Sequence, residues 1–173
     1  LHCYPQKIWF FCVQLAQIGG ETPIVDCRQV YQFLDSKLQE KLEQKQLMYV
    51  RNYIEGLDVS WQNFFHTEDK TVVEDHCYQS EMEFEWLPNN GLRTRKIRPA
   101  IVEHPITQEK VFFNQIQLHH ISYLDSQVRE SLLSVFSAEN LPRNVYYGDG
   151  SPLEPEDIGA INRAYQQATI AFP

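Results

Sequence analysis

The chain has 173 residues, 43% of them hydrophobic and 22% charged, enough for one compact domain with a real core and unlike a disordered, collagen-like or disulfide-dense chain. Fifteen Lys and Arg against 23 Asp and Glu leave a net charge of −8, which works against phosphate backbones and anionic membranes, so no nucleic-acid or membrane partner is expected. Aromatic residues reach 13% while glycines number only seven, so large rigid rings must fill the interior or line a pocket.

Residues 8–13 (Ile-Trp-Phe-Phe-Cys-Val) form the most apolar run. It is too short to span a bilayer, and no charged-then-apolar leader precedes it, so a soluble, cytoplasmic protein is expected. The run predicts a strand over residues 8–15 that meets a turn at Gly19-Gly20, then a short strand around residues 22–25. Asp26, three residues before Gln29, occupies a capping-box position, and Val30, Phe33, Leu34, Leu38 and Leu42 follow at helical spacing, predicting one amphipathic helix. Residues 47–53 read as a strand, and residues 61–65 and 72–78 as short helices or turns.

The strongest β signal is in the middle, where residues 83–87 and 92–102 flank Pro88-Asn89-Asn90-Gly91 and predict a hairpin around an Asn-Gly turn. Residues 110–113 add a further strand. Residues 126–136 place Val128, Leu132, Leu133 and Phe136 on one helical face. Pro155, with Glu156 and Asp157 beside it, opens a last helix of about four turns that ends near Thr169. Short strands mixed with peripheral helices predict an α+β protein with a predominantly antiparallel sheet. The chain opens directly on an apolar run and closes on what reads as a strand just beginning at residues 170–173. The expectation is therefore a single domain over residues 1–173 that is incomplete at both ends.

Several groups of residues could carry chemistry. Cys3, Cys12, Cys27 and Cys77 show no C-x-x-C spacing and read as free thiols in a reducing compartment. His66-Thr67-Glu68 has the H-x-E spacing of a facial iron triad, which His119 or His120 could close. On a helix or loop, however, residues i and i+2 share no face, and a solvated loop histidine is the plainer reading. In Gly19-Gly20-Glu21-Thr22-Pro23 the glycines permit positive φ and the Thr22 hydroxyl can donate to a carboxylate, although a simple turn explains the glycines equally. Gly148-Asp149-Gly150-Ser151 lacks the lysine of a phosphate loop and reads as a turn. On a strand, Arg93 and Arg95 share one face and Lys96 and Arg98 the other. They read as the charges of a solvated edge strand, or as a pair meeting an anion or acidic neighbours. Asn114 and Gln115, just past Phe112-Phe113 and ahead of His119-His120, stand where pockets are often lined. No catalytic triad can be singled out.

Read together, Tyr4-Pro5, Lys7-Ile8-Trp9-Phe10-Phe11-Cys12, Gly19-Gly20-Glu21-Thr22-Pro23-Ile24-Val25-Asp26, Leu92-Arg93-Thr94-Arg95, Arg98-Pro99-Ala100, His104-Pro105, Phe112-Phe113-Asn114-Gln115 and Leu141-Pro142-Arg143-Asn144-Val145-Tyr146-Tyr147-Gly148-Asp149-Gly150 form an ordered series. The series resembles the TauD/TfdA-like Fe(II)/2-oxoglutarate dioxygenases, especially their SyrP-like branch associated with nonribosomal peptide clusters. The resemblance implies a double-stranded β-helix, jelly-roll-like, with peripheral helices. It also implies ferrous iron held by two histidines and a carboxylate, 2-oxoglutarate as co-substrate, and O2 used to hydroxylate an unactivated C–H bond.

By the same resemblance Thr22 hydrogen-bonds the 2-oxoglutarate carboxylate, and Asn114 is a candidate pocket residue. The H-x-[DE] pair of the family is expected before Leu1, and its distal His and 2-oxoglutarate-gripping Arg after Pro173. His2 falls past the expected ligand position and has no acidic residue at position 4, and His66-Thr67-Glu68 maps to a helical insertion. No metal ligand and no catalytic residue is therefore assigned within the chain. The substrate implied is a small amino acid, free or tethered to a carrier protein, with oligomeric state left open. The alternatives are a catalytically inactive truncated remnant or interaction domain of the same fold and, behind these, a metal-free hydrolase.

Overall fold

The computed structural model describes residues 7–14, 16–55 and 57–171. In chain order these form β1 (Ile24–Val25), α1 (Cys27–Phe33), α2 (Ser36–Lys45), β2 (Leu47–Tyr53), α3 (Trp61–Phe65), α4 (Lys70–Gln79), β3 (Glu83–Leu87), β4 (Gly91–Arg98), β5 (Ile101–Glu103), β6 (Lys110–Phe112), α5 (Ile116–His119), α6 (Ser126–Val135), β7 (Arg143–Tyr147), α7 (Pro155–Ala168) and β8 (Thr169–Ile170). The strands make a four-stranded antiparallel sheet ordered β3-β4-β2-β7 and two antiparallel pairs, β1-β8 and β5-β6. This is the α+β, antiparallel architecture that the alternating periods predict.

Two apolar clusters hold it together. The larger joins Val30, Leu34, Leu38 and Leu42 of the first helices to Leu47, Phe112, Val145 and Tyr147 of the strands and Ile158, Ile161 and Ala164 of α7. The smaller packs Trp61, Val73 and Cys77 against Tyr53 and Leu92, with Trp86 edge-on to Trp61 at 5.2 Å. The density of aromatics is thus largely a core feature on the α3–α4 side, where Trp61 Nε1 donates to the Asn90 carbonyl at 2.9 Å and Trp86 Nε1 to Glu74 at 2.7 Å.

Four expectations change. The strand over residues 8–15 does not form across residues 8–14, and Leu15 lies outside the described residues. No strand partner stands beside the run among the described residues, so its rings remain in solvent, Trp9 82% exposed. The single amphipathic helix is two. Asp35 begins α2 by accepting from the Lys37 and Leu38 amides, while the Gln39 side chain donates to the Leu34 carbonyl and to the Tyr31 carbonyl, which also takes the Leu34 amide. The periodicity survives the break because Val30, Leu34, Leu38 and Leu42 all reach the same core.

The hairpin turn places Asn89 and Asn90, φ 56° and 60°, at its two left-handed positions, with Gly91 already the first residue of β4. Its second strand ends at Arg98, since Pro99 breaks the ladder and residues 101–103 pair with β6 instead. Nor is β4 an edge: it lies between β3 and β2, and Arg93 and Arg95 face Glu85 across it at 3.5 and 3.2 Å.

Candidate functional site

The loop ahead of β1 turns at Gly19-Gly20. Both glycines have positive φ, +69° and +117°, and a Cβ on Gly20 would lie 2.9 Å from that of Ala16, so this turn requires glycine. It leaves Thr22 exposed two residues before β1. Immediately beyond, Asp26 caps α1 and pairs with Arg28 at 2.9 Å, and Arg28 reaches Glu109 at 3.4 Å, just ahead of β6. The hydrogen bond from Arg28 and the backbone amides hold the Asp26 carboxyl below its ordinary value.

The H-x-E segment is not on a strand. His66 is the exposed left-handed cap of α3, φ 55°, and Thr67-Glu68 leads into Asp69, which caps α4. Among the described residues no three His, Cys, Asp or Glu side chains are placed to hold a metal ion. The described residues therefore do not fit a ferrous centre, and His2 lies outside them.

Asn114 serves the local backbone. Its Nδ2 donates to the Ala100 carbonyl and its Oδ1 accepts from the Ile116 amide, both at 3.1 Å, fixing the entry to α5. The two histidines that follow are half-buried and carry opposite tautomers. His119 Nδ1 lies 3.1 Å from the Gln115 carbonyl and must donate, leaving Nε2 bare. His120 Nδ1 accepts from the Ser122 amide at 3.2 Å, so its proton is on Nε2. Burial pushes both rings down, His120 to about 4.

A histidine with a folded-state pKa below its unfolded value withdraws stability on acidification. The unfolded chain takes up the proton first, near pH 6.5, and the loss is complete below about pH 4. After allowance for the part of the ring still in water, this amounts to on the order of 2 kcal/mol between those limits. His120→Asn, which can still accept from the Ser122 amide, is expected to flatten that part of the stability–pH curve, measured by urea unfolding from pH 7 to 4. An unchanged slope would show that His120 already charges freely in the fold.

The residues that sequence reasoning missed surround one carboxylate. Asp58 accepts from Arg143 Nε at 2.8 Å and Nη2 at 2.6 Å and lies 3.4 Å from Arg51 Nη2. Burial alone would raise the Asp58 pKa, but the hydrogen bonds from Arg143 and the Val59 amide and the charge of Arg51 bring it below its ordinary value. The Arg51 guanidinium also stacks 4.8 Å from the Tyr53 ring and 4.4 Å from that of Phe64. On the other face of the sheet, Arg93 Nε donates to Asn52 Oδ1 at 2.7 Å, and Asn52 Nδ2 to the Leu141 carbonyl at 2.6 Å, so the deeply buried amide of Asn52 is satisfied.

Compared with known proteins, residues 1–173 match the family described as taurine catabolism dioxygenase TauD, TfdA family. The chain belongs to the TauD/TfdA family. Among its relatives, the dapdiamide synthesis protein DdaC of Enterobacter agglomerans is 38% identical over 169 residues, covering 98% of this chain and 51% of that protein. A clavaminate synthase-like protein of Arabidopsis thaliana is 30% identical over 181 residues, covering 98% of this chain and 51% of its own length. The chain thus spans about half the length of the curated relatives it matches. No helix among the described residues of this TauD/TfdA member is long and apolar enough to cross a membrane.

Proposed function

We propose that this chain is part of an Fe(II)/2-oxoglutarate-dependent oxygenase that uses O2 to hydroxylate an unactivated C–H bond of a small amino-acid-like substrate, free or carrier-tethered, in secondary metabolism. The observation that carries the reading is the family match along all of residues 1–173. The relatives named for dapdiamide synthesis and likened to clavaminate synthase support a biosynthetic role on small molecules. Because the described residues form no iron site, the metal ligands and the jelly-roll strands that carry them lie, in this reading, outside the described residues. Iron, once held there, supplies the oxidising chemistry. What these residues contribute is the Gly19-Gly20 turn and the Thr22 hydroxyl, a donor for one 2-oxoglutarate carboxylate oxygen.

Two measurements test this. The full-length protein with ferrous iron is expected to consume oxygen and release succinate from 2-oxoglutarate; no turnover with any amino-acid-like substrate, free or carrier-bound, rejects the reading. Thr22→Val removes a hydrogen bond to a charged group from an exposed position. It is expected to raise the KM for 2-oxoglutarate about tenfold or more while leaving the melting temperature unchanged. An unaltered KM would take Thr22 out of the co-substrate site.

A further inference from the structure

A groove of about 340 Å³ runs between the loop at Leu57-Asp58, the segment from Gln117 to Leu124, α6 and the start of β7. Leucines, Ile121, Val128 and Pro142 make much of its wall apolar. Leu118 is 72% exposed, Leu124 and Val128 are nearly half exposed, and α6, which forms one side, buries none of its residues fully. At one end stand Asp58 and Arg143.

The charge at that end does not cancel. Arg51 and Arg143 are directly paired across β2 and β7, and they share the single carboxylate of Asp58. Two guanidinium groups against one carboxylate leave a surplus of one positive charge. Arg143 binds Asp58 through Nε and Nη2, and its Nη1 has no partner among the described residues. No second acid lines the groove. Asp125, next to Leu124, instead accepts from the Gln127 and Val128 amides, and the half-buried rings of His119 and His120 are neutral at pH 7. The Tyr123 hydroxyl, also in the lining, is buried and makes no close hydrogen bond, its one polar neighbour being the Gln117 side chain, and Arg51 Nε is buried without a partner among the described residues. A buried donor left open in this way is costly unless an acceptor reaches it.

We propose that this groove binds a small monocarboxylate with an apolar body, its carboxylate taken by Arg143 Nη1 with the Tyr123 hydroxyl, and its body lying along Leu118, Leu124, Val128 and Leu132. The volume is at the lower end for small-molecule pockets and suits a ligand of that size rather than a protein segment. One surplus charge matches a monoanion. A free amino acid fits worse, because the only carboxylate that could receive its ammonium is already held by two arginines. A dicarboxylate such as 2-oxoglutarate would set its second charge against leucines. This goes beyond the oxygenase reading and does not depend on it.

The test uses the full-length protein without iron or 2-oxoglutarate, titrated calorimetrically with sodium octanoate, 1-octanol, L-leucine and 2-oxoglutarate. Octanoate is expected to bind one to one and about tenfold or more tighter than each of the other three. Tyr123→Phe, which removes a hydroxyl that makes no close hydrogen bond in the fold, is expected to weaken octanoate severalfold with little loss of thermal stability. Val128→Glu adds a carboxylate to a half-exposed wall and is expected to abolish binding in a folded protein, as judged by circular dichroism. Octanol binding as tightly as octanoate, leucine or 2-oxoglutarate binding equally well, or octanoate binding untouched by Val128→Glu would each overturn the proposal. So would an absence of octanoate binding, which would place the protein's own remaining chain over the groove. Because the readout needs neither iron nor turnover, failure of the oxygenase assay and failure of octanoate binding are separate results.

Discussion

Asp58→Ala is expected to destabilise the fold by about 3 kcal/mol, the lower end of the range for breaking a buried ion pair. The Asp58 side chain is 10% exposed and serves two arginines, one 17% and the other 38% exposed. Its removal leaves two guanidinium groups at facing positions of neighbouring strands, where like charges repel, and strips the Val59 amide of its acceptor at 2.7 Å. The partial exposure of Arg143 keeps the figure at the low end.

Three variants separate charge from shape. Asp58→Asn keeps the volume and an acceptor but no charge, and should lose less than alanine. Asp58→Ala combined with Arg143→Met should recover part of the loss, since an apolar pair of similar volume replaces a buried ion pair at little cost. Urea unfolding at pH 7 measures all three. The sign with pH is also fixed: a carboxylate whose folded pKa is depressed stabilises above its unfolded value, and that stabilisation disappears as pH falls through the folded one. A double variant no better than Asp58→Ala would mean that repulsion between the arginines is not the cause.

Much of the fold was legible because period and punctuation agree with tertiary packing. β2 runs over residues 47–53 as predicted, and α7 begins at Pro155 and ends at Ala168. Where the reading failed, the deciding information was non-local. The apolar run at residues 8–13 has all the local properties of a strand, yet a strand exists only by virtue of its neighbour. The split between α1 and α2 depends on Gln39 reaching back eight residues to Tyr31. That Lys96 and Arg98 lie on an interior strand depends on which strands flank β4.

The candidate site was legible at Gly19-Gly20, where the need for glycine is local, and not at Asp58, which follows no motif. One signal was available. Along β2, Leu47, Tyr49, Arg51 and Tyr53 share a face, as do Arg143, Val145 and Tyr147 along β7. An arginine at a core-facing position in each of two strands implies a buried countercharge, and Asp58 supplies it.

Gly148→Ala is expected to cost about as much, about 3 kcal/mol, for a steric reason. A Cβ on Gly148 would lie 2.3 Å from the Lys45 carbonyl oxygen and 3.4 Å from Ile97 Cγ2. The nearer obstacle is backbone at the end of a helix and cannot rotate away. The Gly148 amide donates to that same carbonyl at 3.0 Å and to the Gln46 carbonyl at 3.3 Å, tying the end of α2 to the end of β7, so any shift that makes room also breaks a half-buried hydrogen bond. It would displace Tyr147 as well, whose ring lies under Lys41 and Lys45 and whose hydroxyl donates to Asp157 at 2.5 Å, linking this turn to the first turn of α7.

Gly150→Ala is the internal comparison. Gly150 has open space around its missing Cβ but φ +84°, so alanine there meets only the left-handed backbone penalty, about 1–2 kcal/mol. Denaturant midpoints of the two variants in the full-length protein should therefore rank Gly148→Ala below Gly150→Ala. The reverse order would mean that the Gly148-Asp149-Gly150-Ser151 turn is governed by its dihedrals and not by its close approach to α2.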